Sequence, residues 1–108
     1  MAGSVAEFFA EVPNKVNKDK IAGMEKIFQF NITGEGGGEW NVTIANGGAA
    51  VAQGKAEAPN ITLTASAEDW MNIATGKLNG QTAFLTGKLK IQGDMTLAMK
   101  LATVFSFS

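Results

Sequence analysis

Several residue types that carry much of protein chemistry are missing from this chain. It contains no cysteine, histidine or tyrosine, and all nine of its basic residues are lysine. Without cysteine and histidine there are no disulfides, no thiol nucleophiles, no thiolate or imidazole metal ligands and no imidazole general base. We therefore expect neither an enzyme nor a chain that depends on a metal or another cofactor.

The chain also lacks an excess of basic residues. Its formal net charge is −1 and it has no arginine, whereas nucleic-acid binding usually depends on a basic surface and on bidentate arginines. We expect no nucleic-acid partner. Lys15, Lys18 and Lys20 form one short basic run, which we interpret as a solvated helix face, with transient contact to an anion or a membrane surface as the alternative.

No long hydrophobic run is present either. Glu7 and Glu11 interrupt the apolar residues near the N-terminus, and no basic leader precedes them, so we predict neither a signal peptide nor a transmembrane span. The 108 residues, 45% of them hydrophobic, suit one globular domain over residues 1–108. From these features we expect a cytoplasmic protein.

Local patterns predict a mixture of helices and strands. Ser4 and Glu7 form a capping box at the start of a helix, and Pro13 is expected to end or kink that helix and to begin a second one. The glycine-rich residues 34–38 are interpreted as a hairpin loop, because a strand follows where a phosphate-binding loop needs a helix. Alternating apolar residues predict five strands, at residues 26–33, 40–44, 49–55, 61–65 and 88–92.

Three helices are predicted in the second half. The first has Ser66 as its N-cap and ends at Gly76, a short one covers residues 81–86, and the last, capped by Asp94, covers residues 95–105. The expected fold is a mixed α/β (α+β) domain with a largely antiparallel five-stranded sheet and helices on one face.

The last helix is apolar around nearly its whole circumference. Only Thr96, Lys100 and Thr103 are polar between residues 95 and 105, whereas a helix packed on one sheet face needs an apolar arc of little more than 100°. The excess surface is explained either by further protein, as core or subunit interface, or by an apolar ligand between helix and sheet. The helix pattern alone favours core or interface.

Several short sequence motifs in the second half of the chain resemble the sterol carrier protein type two family. They stand in the family's order with short gaps, at residues 76–79, 83–84, 87–91, 93–95 and 97–101. Residues 27–33 resemble the family's first strand, and residues 67–70 resemble the acidic start of its middle helix. The similarity therefore extends over most of the chain.

This resemblance implies non-catalytic lipid binding, and it makes a ligand site the preferred explanation of the last helix. The implied ligand is a fatty acid, a fatty acyl-CoA or a sterol, held in an apolar tunnel between sheet and helices by a monomer or weak dimer. Binding is the first expectation, and transfer of the lipid is a further one. The alternative is an interaction or dimerisation module that uses the last helix. The residues expected to line the site are Trp70, Ile73, Phe84, Leu85, Met95, Met99, Ala102 and Phe105.

Polar contacts to a lipid head group are expected from Lys77 and Lys88, although both also suit solvated surface. The chain departs from the family at Thr86, where many members carry glutamine before Gly-Lys-Leu. It also ends at residues 105–108 (Phe-Ser-Phe-Ser) without the peroxisomal Ser-Lys-Leu signal of eukaryotic relatives.

Overall fold

The computed structural model describes residues 4–105, which form five helices and five strands. The helices are α1 (Val5–Lys15), α2 (Lys18–Ile21), α3 (Ala67–Ala74), α4 (Gly80–Leu85) and α5 (Met95–Phe105). The strands are β1 (Lys26–Thr33), β2 (Gly38–Ala45), β3 (Gly48–Gln53), β4 (Ile61–Ser66) and β5 (Leu89–Gly93). The five predicted strands and the three predicted helices of the second half are confirmed, with ends that differ by one or two residues.

The strands form one sheet in the order β3-β2-β1-β4-β5. β1 pairs with β4 in parallel, and the other three pairs are antiparallel. The predicted mixed, largely antiparallel sheet is confirmed.

The helices cover one face of this sheet, as expected. Phe28 and Phe30 of β1, Val42 of β2 and Leu63 of β4 are fully buried on that face. Buried side chains from α1, α3 and α5 join them in one hydrophobic core. Aromatic rings meet at its centre, where Phe30 lies 5.2 Å from Trp70 and 5.8 Å from Phe105 between ring centroids.

The opposite face of the sheet is crossed by the chain that joins β3 to β4. Gln29 points to this face, yet only 3% of it is exposed, because its side chain bonds to the crossing chain. Its amide oxygen accepts from the Ala56 N–H at 2.7 Å, and its amide nitrogen donates to the Gly54 carbonyl at 3.3 Å. Alternation along β1 places Gln29 on the face opposite Phe28 and Phe30, but nothing local in the sequence predicts its burial.

The first helix differs from prediction at Pro13. α1 continues through Pro13 to Lys15, so no second helix begins at the proline. Proline inside a helix removes one hydrogen bond and crowds the carbonyl four residues earlier, and α1 ends only two residues after Pro13. The second helix begins at Lys18, where the Asn17 side chain accepts from the Asp19 N–H at 3.1 Å.

Candidate functional site

An apolar groove lies between α4 and α5, with β5 at its base. Its volume is about 480 Å³, which falls within the range of small-molecule sites. We call it the α4–α5 groove; it is lined by Asn79, Gly80, Gln81, Phe84, Leu89, Ile91, Met95, Ala98, Met99, Leu101 and Ala102.

Both helices that form its walls begin at side-chain caps. The Asn79 side chain accepts hydrogen bonds from the N–H groups of Gln81 and Thr82, at 2.8 and 3.1 Å. The Asp94 carboxylate accepts from Thr96 and Leu97, at 2.9 and 3.4 Å. These caps satisfy free N–H groups at each helix start and set where each helix begins.

Helical spacing explains which side of α5 faces the groove. Met95, Met99 and Ala102 are four and three residues apart, so they lie on one face of the helix. Leu97, Leu101 and Val104 turn towards the core and are buried. One apolar helix therefore serves both the core and the groove, which explains its nearly continuous apolar circumference.

The walls of the groove are widely exposed. Met99 is 86% exposed, Met95 46% and Phe84 40%; with Leu85 at 74% they are the exposed large hydrophobic side chains of residues 4–105. All four lie on α4 or α5. The structure thus shows an open groove between α4 and α5, while the enclosed tunnel remains a prediction.

The predicted site residues divide into three groups. Phe84, Met95, Met99 and Ala102 line the groove, and Leu85 lies on α4 outside its lining. The other three, Trp70, Ile73 and Phe105, are buried in the core, where the Phe105 ring packs edge to face on Phe28 at 5.1 Å.

Several lining residues were not predicted. Leu89 and Ile91 were detectable, because their alternation in β5 already placed them inward. Ala98 and Leu101 follow from the helical spacing of the chosen α5 residues. Nothing in the local sequence marked Asn79, Gly80 and Gln81, which are the N-cap and the first two residues of α4.

The chemistry of the lining suits an apolar ligand. None of the residues that line the groove is charged, and its polar side chains are those of Asn79 and Gln81. Thr86, at the position where the family resemblance calls for glutamine, donates its hydroxyl to the Thr82 carbonyl at 2.8 Å. Within residues 4–105, no three histidine, cysteine or acidic side chains cluster in a way that would hold a metal ion.

A second, more open depression of about 440 Å³ lies between α1 and β3. Phe9 and Trp40 stack in it at 5.0 Å between ring centroids, and the small residues Ala6, Ala10 and Ala52 border it. None of the exposed large hydrophobic side chains noted above lies there. We therefore take the α4–α5 groove as the candidate site.

Among the described helices, none combines the length and the apolar character needed to cross a membrane.

Comparison with known proteins gives relatives along nearly the whole chain. It is 33% identical over 101 residues to hydroxysteroid dehydrogenase-like protein 2 of Bos taurus, a match that covers 93% of this chain and 24% of that protein. The chain thus spans about a quarter of the length of such curated relatives or less.

Solved structures share the fold. Sterol carrier protein 2 from Yarrowia lipolytica, in its apo form, has a TM-score of 0.79 at 23% identity, with 98% of this chain and 94% of that chain covered. Palmitated SCP2L2 from Aedes aegypti has a TM-score of 0.65 at 32% identity, with 94% of each chain covered. The family model described as the SCP-2 sterol transfer family matches residues 5–106, and the chain therefore belongs to that family.

Proposed function

We propose that this chain binds an apolar lipid without changing it chemically, and that the α4–α5 groove holds the lipid chain. The observation that carries the proposal is an uncharged groove whose walls expose Phe84, Met95 and Met99 to water. Exposed apolar surface of this kind is unfavourable unless something covers it. A fatty acid, a fatty acyl-CoA or a sterol would cover it.

The energies are sufficient for useful affinity. Burial of an acyl chain gains about 0.8 kcal/mol per CH₂, so a dozen methylene groups contribute roughly 10 kcal/mol before the cost of association, itself on the order of 4–15 kcal/mol, is subtracted. Methionine suits such a wall because its unbranched, polarisable side chain adapts to ligands of different shape. With an association cost at the lower end of this range, about 6 kcal/mol remains, which corresponds to a Kd on the order of tens of micromolar.

A fatty acid is the first ligand to test. The Aedes aegypti relative, at 32% identity, is described as palmitated, and a flexible chain fits an open groove more readily than a rigid ring system does. Fatty acyl-CoA and sterol remain members of the same proposed ligand class.

The head group is proposed to meet lysine. Lys77 precedes α4 and Lys88 follows it, both exposed. Neither forms an ion pair within the described part of the chain. A carboxylate or phosphate at either end of α4 would therefore find a cation without displacing an existing partner.

The remaining predicted wall residues belong to a deeper site. Trp70, Ile73 and Phe105 are sealed in the core, so they contact the ligand only if α5 or α4 moves outward and deepens the groove. That movement would convert the groove into the predicted tunnel. Leu85 would contact only a ligand that extends beyond the residues that line the groove.

The alternative is dimerisation through the same surface. The exposure of Leu85 and Met99 favours it, because a second copy of the chain would also cover them. Under the lipid proposal the protein is a monomer or at most a weak dimer.

We also propose that it acts as one domain, without a catalytic step, in the cytoplasm. Cell fractionation with a tagged full-length protein tests the location.

Native mass spectrometry of the purified protein, followed by titration with a fluorescent fatty acid, tests the main proposal. We expect one lipid per chain and saturable micromolar binding that unlabelled palmitate competes away. Sedimentation at the same concentrations reports the number of subunits. A stable dimer that binds no fatty acid, acyl-CoA or sterol would establish the alternative.

A further inference from the structure

The part of the chain that builds the groove has a distinct charge. Residues 70–105 contain four lysines and one acidic residue, Asp94, a net charge of +3, whereas residues 1–69 contain five lysines and nine acidic residues, a net charge of −4. The half of the chain that builds the groove is therefore the basic half, although the whole chain is close to neutral.

Three of these lysines lie on or next to the two helices that form the groove. Lys77 stands in the turn before α4, and Lys88 follows α4, where its backbone N–H donates to the Ala83 carbonyl at 2.8 Å. Lys100 lies on the exposed side of α5, next to Met99. All three are exposed, and no carboxylate pairs with them anywhere in residues 4–105. The one acidic side chain of this half, Asp94, is engaged in capping α5.

Apolar side chains project from the same surface. Leu85 and Met99 are the most exposed large hydrophobic residues in the described part of the chain, and they occupy α4 and α5 respectively. Because Leu85 does not line the groove, a ligand in the groove would leave it uncovered. We name this surface, formed by Phe84, Leu85, Met95, Met99, Lys77, Lys88 and Lys100, the docking face.

We propose that the docking face binds an anionic membrane surface, with Leu85 and Met99 entering the acyl boundary and the three lysines at the level of the phosphates. Apolar side chains flanked by lysines combine the two contributions that bind peripheral proteins to membranes, hydrophobic insertion and attraction to anionic lipids. The inference rests on the proposed lipid-binding function, because the groove would then open directly towards the membrane that supplies or receives the lipid.

A protein partner fits this face less well. Binding energy between proteins is concentrated in tryptophan, tyrosine and arginine, and the docking face contains none of them. Lysine is depleted at the centre of such interfaces, whereas its long stem lets it reach phosphates while the aliphatic part stays in the apolar boundary.

Vesicle co-sedimentation tests the charge contribution. The test variant is Lys88→Gln/Lys100→Gln, and the matched control is Lys18→Gln/Lys20→Gln, which removes the same charge from exposed positions on α2. With vesicles that contain equal parts of phosphatidylcholine and phosphatidylserine, each docking-face lysine should contribute roughly fivefold in affinity, so the test variant should bind about 25-fold more weakly. The control should bind as the unchanged chain does, and binding should fall in high salt.

Insertion is tested by a single fluorescent label, since the chain has no cysteine of its own. An environment-sensitive dye on Leu85→Cys should shift to the blue when anionic vesicles are added, while the same dye on Ala50→Cys, an exposed position on β3, should not. Equal shifts at both positions, or equal loss of vesicle binding in the test and control lysine variants, would overturn the proposal.

The same variants separate this inference from the function on which it rests. Fatty-acid titration without vesicles should give the same affinity for the Lys18→Gln/Lys20→Gln control as for the unchanged chain. Normal fatty-acid binding, together with vesicle binding that does not depend on the docking-face residues, would refute docking alone. Absence of fatty-acid binding in the unchanged chain would refute the lipid proposal itself. A dimer that protects the dye at position 85 in the absence of vesicles would assign this face to a second copy of the chain.

Discussion

Gln29 shows how one side chain can hold a connection in place. It is buried against the chain that joins β3 to β4, and three hydrogen bonds use its amide: two to the crossing chain and one to the Asn31 side chain at 3.1 Å. Replacement by an apolar residue would leave the half-buried Ala56 N–H without its acceptor.

We predict that Gln29→Leu lowers the free energy of unfolding by roughly 2 kcal/mol or more, because unsatisfied buried groups cost about 1–3 kcal/mol each. Urea denaturation measures the change. Asn31→Ala removes only one of these bonds and should cost clearly less. Equal costs for the two variants would mean that the crossing chain does not depend on Gln29.

Among single residues, Met99 provides the sharpest test of whether the groove binds the ligand. It lines the groove yet is mostly exposed, so Met99→Asp should change the free energy of unfolding by no more than about 0.5 kcal/mol. A bound acyl chain would have to strip water from the new carboxylate. We therefore expect fluorescent fatty-acid affinity to fall by a factor on the order of a hundred, equivalent to about 2.7 kcal/mol.

The control for this variant is Thr96→Asp, on the same helix and exposed but outside the groove lining. It should keep full affinity, and as an acidic residue in the first turn it should not destabilise α5. Loss of affinity in both variants would indicate an effect of negative charge on α5 as a whole rather than a ligand at Met99.

At the scale of elements, the joint between β5 and α5 positions one wall of the groove. Gly93 has a φ of 107°, and a Cβ at this position would lie 2.5 Å from the Asn60 carbonyl oxygen and 3.0 Å from the Ile61 Cα. The next residue, Asp94, donates its N–H to the same Asn60 carbonyl at 2.9 Å. The joint therefore packs directly on the start of β4.

Gly93→Ala should consequently destabilise the fold by on the order of 3 kcal/mol, from the unfavourable φ and the backbone contact together. Gly87→Ala is the matched control: its φ is 80°, and a Cβ there would meet nothing within 4 Å. It should cost only about 1 kcal/mol, the strain of the left-handed conformation. Thermal or urea unfolding of both variants gives the comparison, and similar costs would show that α5 tolerates displacement at Gly93.

At the scale of the whole molecule, ligand binding and stability are linked. A ligand that binds only the folded chain stabilises it by RT ln(1 + [L]/Kd), about 2.7 kcal/mol at a concentration one hundred times Kd. For a domain of this size that should raise the melting temperature by on the order of 10 °C.

A thermal-shift series with palmitate, palmitoyl-CoA and a sterol measures this effect and ranks the three ligand classes. Met99→Asp supplies the control, since its shift should shrink while its melting temperature without ligand stays nearly unchanged. A melting temperature that rises with protein concentration, but that no lipid raises, would instead identify an oligomer stabilised by its own association.

Local interactions made much of the fold readable from the sequence. The caps at Ser4, Ser66 and Asp94 were predicted and are present, because a capping side chain bonds to N–H groups only two or three residues away. The strands were predicted because apolar and polar side chains alternate along them. Each of these features is decided by neighbours along the chain.

Contacts between distant residues decided the rest. Sequence periodicity distinguished the narrow polar stripe of α5 from its apolar remainder. Only packing on the sheet determined that Leu101 and Phe105 lie in the core while Met99 is exposed to solvent. In the same way Gln29 is buried by residues 25 and 27 positions further along the chain. The sequence alone determined the elements, their caps and the family; the tertiary structure decided which apolar residues form the core and which form the groove, because burial depends on what the completed fold places opposite each side chain.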